Sequence, residues 1–317
     1  MAGLAEKLSF IESHVLPELS EFTLRFLTPI IGVKADGSGD FLGTGVFCQI
    51  RGHHAVVTAA HTLDSAQKTG SYRSLAIGRG EGVQPSIVPG KIIYGRESDV
   101  AVYLPEQDLG LGLDKAFWPG SSIDEDDLDL SREYLFLQGY PQRYARSTAL
   151  IGRTFVFETL AYGTTMKYRV SDIPASERGD FDHDLPDYDF LPEEIVGSNP
   201  HQFAVVFSTD PSVVLDPASW TIQGNPRTTE DLAQLFAPAE NHDRFEGQSA
   251  VGAFGLSGSP VWRVGATNRK MAEWSVDDCR LIGFVSKWNV QHQILIVTRI
   301  SQATGLVVKD HAKESVA

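Results

Sequence analysis

From residue 28 to about residue 302 the chain repeats one pattern: short runs rich in Val, Ile, Phe and Tyr, separated by Gly, Pro, Asp and Ser. "TGVFCQI", "HAVVTAA", "SLAIGRG", "GKIIYG", "DVAVYL" and "EYLFLQGYP" come first. "GRTFVFETLAYG", "TMKYRVSDI", "QFAVVFSTD", "SPVWRVG", "RLIGFVSKW" and "HQILIVTRIS" follow. β-Branched and aromatic residues suit a pleated, half-buried surface, and runs at near-regular spacing with turn residues between them predict an all-β barrel or sandwich. The natural division is two β units joined near 140–150.

Bulk properties narrow the function classes. A chain of 317 residues with 42% hydrophobic content can bury a large core. Lys and Arg total 27 against 41 Asp and Glu, a net charge of −14, which excludes general binding to a nucleic-acid backbone. The first residues, "MAGLAEKLSFIESHVLPELSEF", carry acids inside their apolar stretch and do not read as a secretory signal. No apolar run approaches the roughly 20 residues of a membrane helix, so no membrane partner is expected. With two cysteines, Cys48 and Cys279, a disulfide framework is not expected and the default compartment is a reducing cytoplasm; a single bridge between the two stays open.

Outside the β series, Leu4, Leu8, Ile11, Val15, Leu16 and Leu19 fall at helical spacing, predicting an N-terminal helix packed on the main body, with Pro17 placed to kink or stop it. A docking helix for a partner is the alternative reading. Two acidic stretches, 121–130 and 180–194, read as solvated loops; neither has the ligand spacing of an EF-hand, and no metal is expected. A short helix over Thr228–Phe236 and a frayed tail over 306–317 complete the pass.

Chemistry concentrates in three places. "TAAH" carries His61 out of a buried strand on two alanines, Asp99 opens the apolar run "VAVYL", and "GAFGLSGSPVW" surrounds Ser257 with Gly252, Gly255 and Gly258. A glycine-rich turn can aim consecutive N–H groups into one concavity, the requirement of an oxyanion hole. A serine hydroxyl needs an adjacent base to act as a nucleophile, and an imidazole supplies one. Taken singly, each residue has a bland role: a core histidine, a strand cap, a turn serine. His53 and His54 read as turn or surface residues, because no HExxH or Cys/His spacing supports a metal.

The order His, Asp, Ser resembles the chymotrypsin-like (trypsin-like) serine peptidases, and among them the bacterial intracellular type. Thr58-Ala59-Ala60-His61 matches that family's histidine motif. Asp99 matches its strand-opening aspartate, and Gly255-Leu256-Ser257-Gly258-Ser259-Pro260 matches Gly-x-Ser-Gly-Gly-Pro with Ser259 in place of a glycine. "GTGVFC" and "GFVSKW" resemble the family's strands before the histidine and beside the substrate cleft. The resemblance implies two six-stranded antiparallel Greek-key β-barrels with an N-terminal helix. The expected divisions are an extension over 1–27, a first barrel over 28–145 holding His61 and Asp99, and a second over 146–305 holding Ser257, with an acidic insertion at 171–200. It implies a triad of His61, Asp99 and Ser257, an oxyanion hole from the N–H groups of Gly255 and Ser257, and no cofactor.

For the substrate side chain the resemblance points to Val251 at the pocket base, with Phe254, Ser286 and Trp288 around it. An apolar or small residue is therefore expected on the acyl side. Leu256 stands where secreted relatives place an aspartate that pairs with a cut N-terminus, so no propeptide switch is expected, as in the Deg-type members. Control is expected from ordering of the 251–258 loop, biased by an activating protein partner on the N-terminal helix or the 171–200 insertion. No PDZ-like extension is expected after "VTRIS". Family analogy adds a single regulated protein or peptide target, in stress or antiviral defence. The rival reading is a silent two-barrel pseudo-protease that binds a peptide or partner. A nucleophile-elbow hydrolase is set aside because Ser259 replaces its last glycine and its candidate partner pair, Asp310 and His311, lies in the tail.

Overall fold

A computed structural model describes residues 10–35, 39–68, 74–78, 89–125, 134–140, 160–164, 167–168, 201–206, 255–265, 273–289 and 294–314. The 171–200 insertion, the Thr228–Phe236 helix and most of the two acidic stretches lie outside them. The first sheet contains β1 (Leu27–Val33), β2 (Gly39–Ile50), β3 (His53–Ala59), β4 (Ser74–Ile77), β5 (Gly90–Gly95) and β6 (Val100–Pro105), in the order β4-β1-β2-β3-β6-β5. The second contains β7 (Leu135–Gly139), β8 (Leu160–Thr164), β9 (Lys167–Tyr168), β10 (Gln202–Val206), β11 (Pro260–Arg263), β12 (Arg280–Asn289) and β13 (Ile294–Arg299), in the order β8-β7-β11-β12-β13-β10-β9. Every pairing within the two sheets is antiparallel.

β8 and β9 form the two ends of the second sheet and are separated in the chain by residues 165 and 166 alone. Both ends of the sheet therefore come from 160–168, and with β8 and β9 counted together the second half, like the first, has six strands. Its strand neighbours then follow the same cyclic order as β1 to β6, a Greek-key connectivity in both halves. The two-barrel expectation therefore describes the molecule. Its expected division does not: β7 pairs with β8 and β11, so the boundary falls ahead of Leu135 rather than at 145–146.

Local chemistry explains the elements. Arg51 and Gly52, at φ 49° and 84°, form the two-residue turn between β2 and β3, the left-handed geometry that a twisted hairpin prefers. At the N-terminus a π-helical turn, Ile11–Val15, runs into α1 (Leu16–Leu24). Pro17 has no N–H to donate and its ring would crowd a carbonyl of the preceding turn. The wider turn, closed by Leu16 N–H on the Ile11 carbonyl, makes room, and the helix passes the proline instead of stopping.

Ile11, Val15, Leu16 and Leu19 are buried with Val46 and Val57 of the first sheet and Phe136, Trp262 and Phe284 of the second, so the helix packs on the body. Buried Gln138 of β7 pins it, accepting from the Thr23 hydroxyl and donating to Ser20 Oγ at 3.1 Å.

The C-terminus departs from expectation. The frayed tail predicted for 306–317 is, through Glu314, part of a helix: α2 (Ala60–Lys68) has a longer counterpart in α3 (Ile300–Glu314). Ile300, Ala303 and Val307 form its buried face, and Asp310 pairs with Lys91 at 2.6 Å. Asp124 and Glu125, from the first acidic stretch, pair with Arg263 and Arg51. Cys48 and Cys279 are buried free thiols, and burial pushes both well above the usual thiol range, which closes the disulfide alternative. Among the described residues no helix is long and apolar enough to cross a membrane.

Candidate active site

His61 is the second residue of α2, directly after β3. Its backbone N–H donates to Asp99 Oδ1 at 2.9 Å, its Nδ1 lies 2.7 Å from Asp99 Oδ2, and its Nε2 lies 2.9 Å from Ser257 Oγ. An ionised carboxylate can only accept, so Nδ1 carries the proton and the Nε2 lone pair faces the serine hydroxyl. The structure thus brings together the three residues singled out in the sequence, across 196 positions between His61 and Ser257. The imidazole is 49% exposed and the carboxylate 28%, an open site that a bound chain would have to cover to exclude water.

Asp99 sits at the end of a 3₁₀ turn, Arg96–Ser98, with φ 52° and ψ 47°. Left-handed backbone costs a non-glycine residue about 1–3 kcal/mol and persists where the surroundings enforce it. Here Ala60 N–H donates to the Asp99 carbonyl at 3.1 Å and His61 N–H to its side chain, so the start of α2 holds the aspartate on both sides. From the other sheet, the Thr298 hydroxyl donates to the Ser98 carbonyl at 2.8 Å.

The turn that carries Ser257 is built from Gly255 (φ 90°), Leu256, Ser257 and Gly258 (φ 86°). Leu256 is fully buried in the core of the second sheet and contributes about 2 kcal/mol to anchoring the turn. A Cβ on Gly258 would lie 1.9 Å from the Thr44 carbonyl oxygen and 2.4 Å from Thr58 Oγ1, so only glycine fits. Gly258 N–H donates to Val285 and Ser259 N–H to Leu256. Among the described residues the N–H groups of Gly255 and Ser257 make no such backbone bond, which leaves them the candidate donors to an oxyanion.

Ser259 departs from the glycine of the resembled motif, and its fit depends on a glycine elsewhere. Its buried Oγ lies 1.7 Å from where a Cβ on Gly139 would fall, so β7 yields the space the serine occupies. Of the expected substrate-binding residues, Val251 and Phe254 lie outside the described residues. Ser286 does not present its side chain to a cleft. It is buried at a bulge between β12 and β13, and its hydroxyl donates to the Ile296 carbonyl at 3.1 Å. Trp288 is half-buried against the second-sheet core. Asp310 and His311 are engaged elsewhere, with Lys91 and with the ring of His53, so they form no alternative partner pair for Ser257.

Thr44, Thr58, Thr298 and Gly139 were missed in the sequence. Thr44 had a signal: a polar residue between two glycines in a strand otherwise bound for the core. A polar cleft of about 320 Å³, lined by Gln49, Arg51, Ser121, Glu125 and Thr304 among others, lies at the Arg51–Gly52 end of the β2–β3 hairpin, opposite His61. There Glu125 already binds Arg51 and Thr304, so its charges satisfy one another.

No protein-family model matches the chain, and no curated protein matches it. Among solved structures it is similar to a catalytically inactive tobacco etch virus protease complexed with substrate, at 11% identity over 93% of this chain and 86% of that one, with a TM-score of 0.41. It is also similar to a scabies mite inactivated protease paralogue, at 12% identity over 92% and 94% of the two chains, with a TM-score of 0.44.

Proposed function

We propose that the chain is a serine endopeptidase that works through an acyl-enzyme on Ser257. The observation that carries this reading is the continuous line Asp99–His61–Ser257, at 2.7 and 2.9 Å, running from one sheet to the other. Ser257 Oγ attacks the carbonyl carbon of a peptide bond while its proton passes to His61 Nε2. The tetrahedral oxyanion takes hydrogen bonds from the N–H groups of Gly255 and Ser257. The C–N bond breaks, the amine leaves with the proton from His61, and the acyl group stays on Ser257. Water, deprotonated by His61, then attacks the ester, releases the acid and restores the hydroxyl. Asp99 keeps the tautomer and stabilises the imidazolium; in the triad template its loss costs about 10⁴ in turnover.

The substrate is a protein or peptide with an apolar or small residue on the acyl side, a preference assigned to Val251, Phe254, Ser286 and Trp288. Two buried, unbridged thiols fit a reducing, cytoplasmic setting. The bacterial intracellular type, a single regulated target and an activating partner rest on the sequence resemblance. The N-terminal helix is packed into the core, which leaves its outer face and the 171–200 insertion for such a partner. Profiling new termini in a denatured proteome tests the reading. Wild type should yield cuts after apolar or small residues that Ser257→Ala does not make. The same cuts from both proteins, or none from either, would leave the binding-module alternative.

A further inference from the structure

We infer that Thr44 of β2 is a positioning residue that holds the nucleophile turn in its working shape from the opposite sheet; this rests on the peptidase reading above. All of its polar groups are committed. Its N–H donates to the Ser257 carbonyl at 2.9 Å. Its hydroxyl donates to the Gly255 carbonyl at 3.0 Å and accepts from Tyr140 N–H at 2.9 Å. Its carbonyl accepts from the Thr58 hydroxyl at 2.6 Å. One first-sheet residue therefore grips both carbonyls that bracket Leu256 and Ser257.

The proton count fixes the direction of these bonds. A hydroxyl has one proton to give, and Tyr140 N–H can only donate, so the Thr44 proton goes to Gly255. That bond fixes the peptide plane following Gly255, a residue at φ 90° whose backbone has more freedom than any other. Gly255 is also one of the two candidate oxyanion donors. The donor N–H lies in the preceding peptide, so with the carbonyl released φ and ψ of the glycine are free to change and the donor loses its fixed angle to Ser257. The backbone bond from Thr44 N–H would remain, so the serine itself would stay near His61. Thr44 thus acts on charge developing in the transition state more than on the resting position of the nucleophile.

The test is the second-order rate of fluorophosphonate labelling, read beside melting temperature. Thr44→Val keeps the shape and removes the hydroxyl; Thr44→Ser keeps the hydroxyl; Ser257→Ala is the blank. Thr44→Val should label at least about tenfold more slowly than wild type while still folded, since small misplacements at a reacting centre are costly. Thr44→Ser should stay within about threefold of wild type. Should the valine variant not fold, Thr44→Cys against Thr44→Ser asks the same question, because the thiol is a weak donor in a near-identical shape; the cysteine variant should be the slower. Folded Val or Cys variants that label at the wild-type rate, with labelling dependent on Ser257, would overturn the role of Thr44 and leave the peptidase reading intact. Labelling indifferent to Ser257, or absent from wild type, would take down both.

Discussion

The two sheets share one strand order and divide the site unequally. The first supplies His61 and Asp99 from neighbouring strand ends, held together by three hydrogen bonds, two from His61 and one from Ala60, all to Asp99. The second supplies Ser257 from a turn with two left-handed glycines, a shape with little stiffness of its own. Each half is steadied by a threonine of the other: Thr44 reaches across to Gly255, and Thr298 reaches back to Ser98. Two residues locked to each other need little help, whereas a glycine turn needs an external hold. Neither sheet alone contains the site, and docking the two assembles it.

The largest effect is expected within the rigid half. Asp99→Asn should slow labelling of Ser257 by about 10⁴, because an amide can donate to Nδ1 and so stabilises the wrong tautomer, while the fold is kept. A loss below tenfold would mean the pair does not orient the base. Next comes the packing beneath the turn. Gly139→Ala should destabilise by roughly 3 kcal/mol in chemical denaturation, because its Cβ would meet Ser259 Oγ. In a Ser259→Gly background most of that cost should vanish, a coupling of roughly 1–3 kcal/mol. Additive losses would show that the two positions do not compensate.

Thr298→Val removes the return contact and leaves the Ser98 carbonyl without its donor. Labelling should fall by about tenfold or less, with a stability loss near 1 kcal/mol, since the Asp99 turn keeps its bonds to α2. A larger loss than in Thr44→Val would reverse the ranking of the two halves. The last comparison is of stability against pH, away from the site. Burial raises Cys48 and Cys279 above the ordinary 9.0, so the unfolded chain loses these protons first as pH rises. The native state then binds more protons than the unfolded state, and stability should fall above about pH 9, by at most about 1.4 kcal/mol per group per pH unit. Tyr103, pushed up to about 12 by burial and then by Glu106, adds in the same direction above about pH 10, weakly because it is partly solvated. Cys48→Ala with Cys279→Ala should flatten the alkaline slope; an unchanged slope would assign it to other groups.

What was legible in the sequence was local. "HAVVTAA" is a buried strand because Thr58 alone interrupts its apolar run, and His61 leaves it where the run ends. Gly255 and Gly258 announce a turn because nothing else tolerates their backbone. The C-terminal helix was obscured because its buried stripe, Ile300, Ala303 and Val307, is interrupted by Gly305 and runs into charged residues. The boundary ahead of Leu135 leaves no mark in composition, since β7 reads like the strands before it. The contacts of Thr44 and Thr298, over 211 and 200 positions, exist only once the two sheets meet, and no periodicity encodes them. Ser259 reads in the motif as one glycine replaced; its dependence on Gly139 is a matter of space, not pattern.

The central claim is that a serine of the second sheet is activated by an acid–base pair of the first. Peptide mapping of the native protein after brief exposure to a fluorophosphonate tests it directly. The account predicts one phosphonyl group, on Ser257, formed rapidly in wild type and lost in His61→Ala. An adduct on another residue, or an unmodified Ser257 in the folded wild-type protein, would contradict it.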